Sequence, residues 1–183
     1  MRTRLFFELS AVDDIVRLAV AICLLVTCGV GAAQGVVVGR VTRIQDGDSV
    51  LVQQSERTIT VRLAGIDAPE LAQPFGRESR EHLKACCFGQ IVLVETHGVD
   101  RHGRVLGTLD AGGMDCGLEQ LRAGMAWHYR IFANEQSIEL RHRYTTAERD
   151  ARRRAIGLWE QPEPIPPWRF RHSNPRVEPH STP

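Results

Sequence analysis

The sequence predicts a mainly β fold with helices, a five-stranded OB-fold Greek-key barrel with about three helices. Three features point there: a meander of β-branched segments, one helical run after the third of them, and two more strands beyond that helix. The first strands are Val36 to Ile44 (VVVGRVTRI), Ser49 to Gln53 (SVLVQ) and Arg57 to Leu63 (RTITVRL), separated by short polar turns. Side chains alternate along a strand, so in the third Ile59, Val61 and Leu63 share one face while Thr58, Thr60 and Arg62 share the other. Arg62 therefore leaves the sheet on its polar side. A helix-compatible run spans Phe75 to about Cys87, and strands follow at Gln90 to Glu95 and Arg104 to Leu109. Leu118, Leu121 and Met125 then recur at helical spacing. A longer helical stretch from Asn134 to Ala155 sets Leu140, Tyr144, Ala147, Ala151 and Ala155 on one stripe. Its opposite face holds Glu139, His142, Arg143, Arg149, Asp150 and Arg153. Five strands with a helix between the third and fourth is the order of an OB barrel, a scaffold for oligonucleotides and oligosaccharides.

Of the 183 residues, 43% are hydrophobic and 25% charged, which excludes a collagen, a disordered chain and a multi-span membrane protein. A formal net charge of +1 argues against bulk electrostatic binding of nucleic acid, so the placement of charge must carry any such function. Lys84 is the only lysine among 23 basic residues. The rest are arginines, whose planar fork suits carboxylates and phosphates.

Arg2, Arg4 and Arg17 precede the apolar stretch LAVAICLLVTCGVGAA, Leu18 to Ala33, which ends in small residues. That is the layout of a secretory signal peptide, and the stretch is short for a membrane span. The expected organisation is a leader over 1–33, one domain over 35–160 and a Pro-rich C-terminal tail over 161–183, surface-hugging or disordered. Export to the periplasm or the medium follows from the leader. Cys86, Cys87 and Cys116 remain after its removal, without a CxxC spacing, so no zinc site is expected; Cys116 is expected to pair with one of its two candidates.

The most informative segments are DGDSVLV at Asp46 to Val52 and RLAGIDAPE at Arg62 to Glu70. Asp46 and Gly47 suit a tight turn. Asp48 opens one strand, and Asp67 and Glu70 lie just past the end of the next; if these two strands pair as a hairpin, the three carboxylates converge at one end of the barrel. Converging carboxylates repel unless a cation neutralises them, and oxygen-only ligation favours Ca²⁺ or Mg²⁺. With Arg62 beside them and Arg104 in DRHGR at Asp100 to Arg104, the set suits a phosphodiester: a cation and two guanidiniums share the charge that grows on phosphoryl oxygens.

The order DGDS, RLAGIDAPE, DRHGR resembles the staphylococcal-type (micrococcal, thermonuclease) nuclease family over Gly35 to Trp159. AGMAWHYR at Ala123 to Arg130, GLW at Gly157 to Trp159 and the PPW of the tail resemble its bacterial exported members. The resemblance implies a calcium-dependent endonuclease acting on DNA and RNA, single-stranded or locally opened, with little sequence preference and 3′-phosphate products. By position, Asp48, Asp67 and the backbone carbonyl of Ala68 correspond to the Ca²⁺ ligands. Arg62 and Arg104 correspond to the phosphate-clamping arginines, and Glu70 to the residue that orients or deprotonates the attacking water. Arg101, His102, Tyr129, Arg130 and Phe132 fall where the family binds its substrate. His102 stands in place of an aromatic, Ser49 in place of a threonine, and Arg130 and Phe132 in place of tyrosines; Trp127 and His128 offer further stacking surfaces. A monomer is expected. The alternative is a non-catalytic nucleic-acid-binding OB-fold module of the cell envelope.

Arg141, Arg143, Arg149, Arg152, Arg153 and Arg154 cluster on the last long helix among Glu139, Glu148 and Asp150. They read either as a solvated face or as a track for backbone phosphates.

Overall fold

Burial alternates along β1 (Val36–Ile44), where Val41 and Ile44 face inward, and this strand pairs on both sides. The computed structural model describes residues 35–131 and 136–174. The expected leader over 1–33, Phe132 and the end of the tail from 175 onward lie outside the described residues.

β1 runs antiparallel to β2 (Ser49–Gln54), with an irregularity between Val41 and Arg43, and β2 runs antiparallel to β3 (Arg57–Leu63). β5 (Ile91–Val99) returns against the other edge of β1 and pairs with β6 (Val105–Asp110). A short parallel register, Val61 with Val105 through Leu63 with Gly107, joins β3 to β6 and closes the barrel in the order β1-β2-β3-β6-β5. Closure leaves no free edge among these strands. The five-stranded barrel and the helix after its third strand are as the pattern predicts.

Two further strands of two residues each were not predicted. β4 (Ile66–Asp67) pairs with β7 (Trp127–His128) outside the barrel. Segments this short carry no periodicity, so only their tertiary pairing defines them.

The helices are α1 (Gly76–Cys87), α2 (Cys116–Arg122), α3 (Ile138–Arg153) and α4 (Pro167–Ser173), with a 3₁₀ turn at Gly157–Glu160. Asp115 caps α2 by accepting from the Leu118 N–H, and Ser137 caps α3 by accepting from the Leu140 N–H. α1 and α2 cover the barrel with Leu83, Leu118 and Leu121, and α3 adds Tyr144; all four are fully buried against Val41, Val50, Val52, Val61 and Val94. Each such side chain contributes about 1.5–3 kcal/mol by leaving water. The stripe expected on α3 is real at Tyr144, Ala147 and Ala151, whereas Ala155 lies past the helix end with a left-handed backbone. Met125 likewise falls beyond α2.

The fourth helix belongs to the Pro-rich segment. Pro167 opens α4 at a position where its missing N–H costs nothing, and Trp168 packs against Trp127 and Tyr129 at ring-centroid distances of 6.3 and 5.6 Å. Among the described residues no helix is long and apolar enough to cross a membrane.

Of the three cysteines among the described residues, Cys86 and Cys116 lie with their sulfurs 2.7 Å apart, one on α1 and one at the start of α2, while Cys87 donates to the Leu83 carbonyl. The geometry thus distinguishes the two adjacent candidates: Cys86 faces Cys116. All three stand as free thiols.

Candidate active site

The β2–β3 hairpin builds the first half of the site. Asp46 Oδ1 accepts from the Asp48 N–H at 3.0 Å, a side-chain turn that fixes the loop before β2. Gly47 sits at its centre because a Cβ there would collide with Ser79 Oγ, and its carbonyl accepts from Gln120 Nε2 at 2.6 Å. The loop is thereby clamped to α1 and α2. Ser49 lies opposite Arg62 in the ladder, and the Leu63 N–H donates to the Asp48 carbonyl at 2.8 Å. Arg62 is therefore held beside Asp48 by register alone.

Asp48 is 2% exposed, and its carboxylate is fully engaged: Oδ2 accepts from the Ala68 N–H at 2.6 Å, and Oδ1 accepts from Ser49 Oγ at 3.1 Å and pairs with Arg62 Nη1. Arg62 Nη2 reaches Asp67 Oδ1 at 2.6 Å. One guanidinium thus bridges both aspartates. Asp67, 1% exposed, is set in place by the β4–β7 pair, where it lies opposite Trp127. Buried carboxylates require such partners, since an unpaired buried charge costs several kcal/mol.

Glu70 follows in a turn closed by Gln73: the Glu70 N–H donates to Gln73 Oε1 at 2.9 Å and the Gln73 N–H returns to the Glu70 carbonyl at 2.8 Å. Gly76 starts α1 directly behind it, where a Cβ would strike the Glu70 carbonyl. Arg104 arrives from the β5–β6 hairpin. Its guanidinium donates to Asp100 Oδ2 at 2.8 Å, and its N–H donates to Asp100 Oδ1 at 3.0 Å. Burial resists ionisation of Asp100, yet these bonds and the His102 N–H outweigh it and hold the carboxyl below its usual pKa. Arg104 is consequently aimed by a carboxylate that stays ionised.

Asp48, Arg62, Ala68, Glu70 and Arg104 line one polar cavity of about 60 Å³, together with Asp46, Pro69 and Arg171. Asp67 joins it through Arg62 and Arg171. Five positions separated in the chain by up to 56 residues, Asp48 to Arg104, therefore meet at one end of the barrel. The donor set offered to a metal is all oxygen: two aspartates and a main-chain carbonyl, the chemistry of a hard divalent cation. Arg62 acts as a stand-in, since its guanidinium bridges both aspartates and offsets part of their charge. The residues present fit such a cation, although among the described residues no three His, Cys, Asp or Glu side chains form a ready-made cluster.

The residues expected to bind substrate divide differently. Arg101 and His102 are exposed on the β5–β6 turn, with Arg101 Nε donating to His102 Nε2 at 3.0 Å. Tyr129 is half-buried beside Trp168, and its N–H donates to the Gly65 carbonyl. Arg130 is exposed but tied to Glu148 Oε2 at 2.9 Å. Phe132 lies outside the described residues.

Two expected stacking surfaces are not available: Trp127 and His128 are each 4% exposed. Trp127 packs edge-on against Trp159 at 5.2 Å. His128 bonds Gln136 Oε1 at 3.0 Å, and burial depresses its pKa, which keeps it neutral in the core. Glu148 also departs from the solvated reading of α3. It is 3% exposed and accepts from the His128 N–H, Arg130 and Arg152, while Arg152 lies 4.0 Å over the Trp159 ring. Arg153 pairs with Asp150 at 3.4 Å.

Arg171 was missed. It projects from α4 onto Asp67 and Glu70, and pairing with them outweighs burial to raise its pKa above the usual arginine value. The signal available was a pair of arginines, Arg169 and Arg171, inside PPWRFR, whose Pro-rich setting reads as tail.

Residues 60–161 match the family model described as staphylococcal nuclease homologue. The chain is 37% identical over 135 residues to an uncharacterized endonuclease of Escherichia coli, covering 73% of this chain and 84% of that protein. It is 39% identical over 145 residues to a micrococcal nuclease of Shigella flexneri, covering 74% and 81%. A staphylococcal-like nuclease of Arabidopsis thaliana is 32% identical over 134 residues, 71% of this chain and 40% of that one.

Proposed function

The chain belongs to the staphylococcal nuclease homologue family, and from that premise we propose that it is an exported, Ca²⁺-dependent endonuclease cleaving DNA and RNA to 3′-phosphate ends. It is a nuclease, a hydrolase acting on nucleic acids. The observation that carries the finer reading is the single polar cavity shared by Asp48, Arg62, Ala68, Glu70 and Arg104.

Asp48, Asp67 and the carbonyl of Ala68 would hold the cation, which when bound would supply positive charge to the phosphoryl oxygens as a Lewis acid. Glu70 orients the attacking water and takes its proton, and its burial beside Arg171 fixes where that happens. Water oxygen bonds to phosphorus, the bond to the 5′ oxygen breaks in line, and that leaving oxygen takes a proton from solvent water. Arg62 and Arg104 bear the charge that accumulates on the phosphoryl group. Arg104 is braced for this by Asp100.

Recognition rests on the phosphate, which every nucleotide shares, so sequence preference is weak. The substrate is single-stranded or locally opened nucleic acid, and the chain acts as a monomer in the periplasm or the medium after removal of residues 1–33. Product end-group analysis tests the reading. Digestion of a labelled DNA and an RNA oligonucleotide is expected to leave 3′-phosphates, removable by phosphatase, with 5′-hydroxyls on the adjoining fragments. 5′-phosphate ends would refute the proposed leaving group, and binding without cleavage would favour the non-catalytic module.

A further inference from the structure

We propose that Arg171 is a third arginine of this active site, a positioning residue that holds Glu70 against Asp67 in the geometry used for hydrolysis. The proposal rests on the nuclease reading above. Arg171 Nη1 donates to Glu70 Oε1 at 2.7 Å and contacts Asp67 Oδ1 at 3.3 Å, while Nη2 donates to Asp67 Oδ2 at 2.9 Å. The fork embraces one carboxylate and ties it to the other. Glu70 and Asp67 would otherwise repel, and a water-orienting carboxylate must not swing.

Glu70 is gripped twice from the C-terminal segment. Gln73 accepts the Glu70 N–H through Oε1 and donates through Nε2 to the Ile165 carbonyl at 3.0 Å, so one side chain links the Glu70 backbone to the chain that leads into α4. Arg171 then holds the carboxylate itself. Buried Pro167, together with Trp168 against Trp127 and Tyr129, anchors α4 to the same β4–β7 region that places Asp67. This C-terminal helix therefore completes the site. A lysine at 171 has one point charge and no fork, so it restores charge without the bridge.

The test uses the full chain with Ca²⁺ and a fluorescent single-stranded DNA oligonucleotide, comparing Arg171→Ala, Arg171→Lys and, on the exposed side of the same helix, Arg169→Ala. Arg171→Ala is expected to lower kcat by roughly 10- to 100-fold with KM changed less than about threefold, as for other groups that orient an active-site ligand. Arg171→Lys recovers part of the loss, and Arg169→Ala behaves as wild type. Calcium affinity measured by calorimetry is not weakened by Arg171→Ala, because no cation ligand is removed. Unchanged kcat in Arg171→Ala overturns the proposal, as does a loss confined to KM, which would make Arg171 a substrate contact. Tighter Ca²⁺ binding with faster turnover also overturns it, by making Arg171 an inhibitory latch on Asp67. Should the alanine variant fail to fold by thermal melt, Arg171→Lys decides alone: full wild-type kcat overturns the positioning role. An inactive wild type would refute the nuclease reading itself, whereas an active wild type matched by Arg171→Ala refutes only this inference.

Discussion

Replacing Arg62 with alanine is expected to lower kcat by about 10²- to 10³-fold, the typical cost of removing one donor aimed at transition-state charge. The same substitution is expected to tighten Ca²⁺ binding. Arg62 bridges Asp48 and Asp67 in the structure, so a divalent cation held by these aspartates would have to compete with that guanidinium. Without that competitor the two aspartates, 2% and 1% exposed, repel each other and gain more from a cation. Calorimetry and steady-state kinetics on the same preparation separate the effects. Weaker Ca²⁺ binding in Arg62→Ala would mean that the arginine organises the ligands rather than competing for them.

Glu70→Gln is expected to reduce kcat by about 10²- to 10⁴-fold while leaving KM and Ca²⁺ affinity close to wild type. Glutamine keeps the size of the side chain and can still accept from Arg171 through its amide oxygen, so the loop held by Gln73 should persist. What disappears is the negative charge able to receive a proton from water. Retention of more than a tenth of the activity would remove Glu70 from proton transfer and leave it an orienting role. A thermal midpoint near that of wild type distinguishes lost chemistry from lost structure.

Much of this site is legible from residue order because short-range geometry sets it. Alternation along Arg57 to Leu63 puts Arg62 on the polar face, and the β2–β3 hairpin brings it beside Asp48. Barrel strands of six to nine residues carry enough period to be seen. The remaining features depend on contacts between distant segments. β4 and β7 have two residues each and exist through their pairing, which is why the seat of Asp67 was not apparent. Glu148 has polar neighbours in sequence, yet it is buried where His128, Arg130 and Arg152 meet its carboxylate. Trp127 and His128 look like stacking surfaces in a list of aromatics, but the same packing takes them into the interior.

Arg171 is the instructive omission. Proline-rich sequence near a chain end signals absence of regular structure, and Pro166 and Pro167 do break what precedes them. They also start a helix, since proline is well suited to a first helical turn. The outcome turned on whether Trp168 had something to pack against. Trp127 and Tyr129 provide it, and the arginine three residues later is carried onto the carboxylates.

The α3 arginines likewise resolve into separate roles. Arg152 is committed to Glu148 and the Trp159 ring, and Arg153 leans on Asp150. Near-neutral total charge is mirrored at the site, where acids and arginines offset one another. Three of the acids offsetting the arginines are Asp48, Asp67 and Glu70, and they are the groups paired with Arg62 and Arg171.

On the proposed reading, this cavity hydrolyses phosphodiesters only with a divalent cation held at its aspartates. The most direct test of that reading is the conversion of supercoiled plasmid to nicked and linear forms by the purified protein, with Ca²⁺, with Mg²⁺ and with excess chelator. Cleavage with Ca²⁺, abolished by chelator and restored when Ca²⁺ is returned, is the predicted result; undiminished cleavage in chelator would contradict the account.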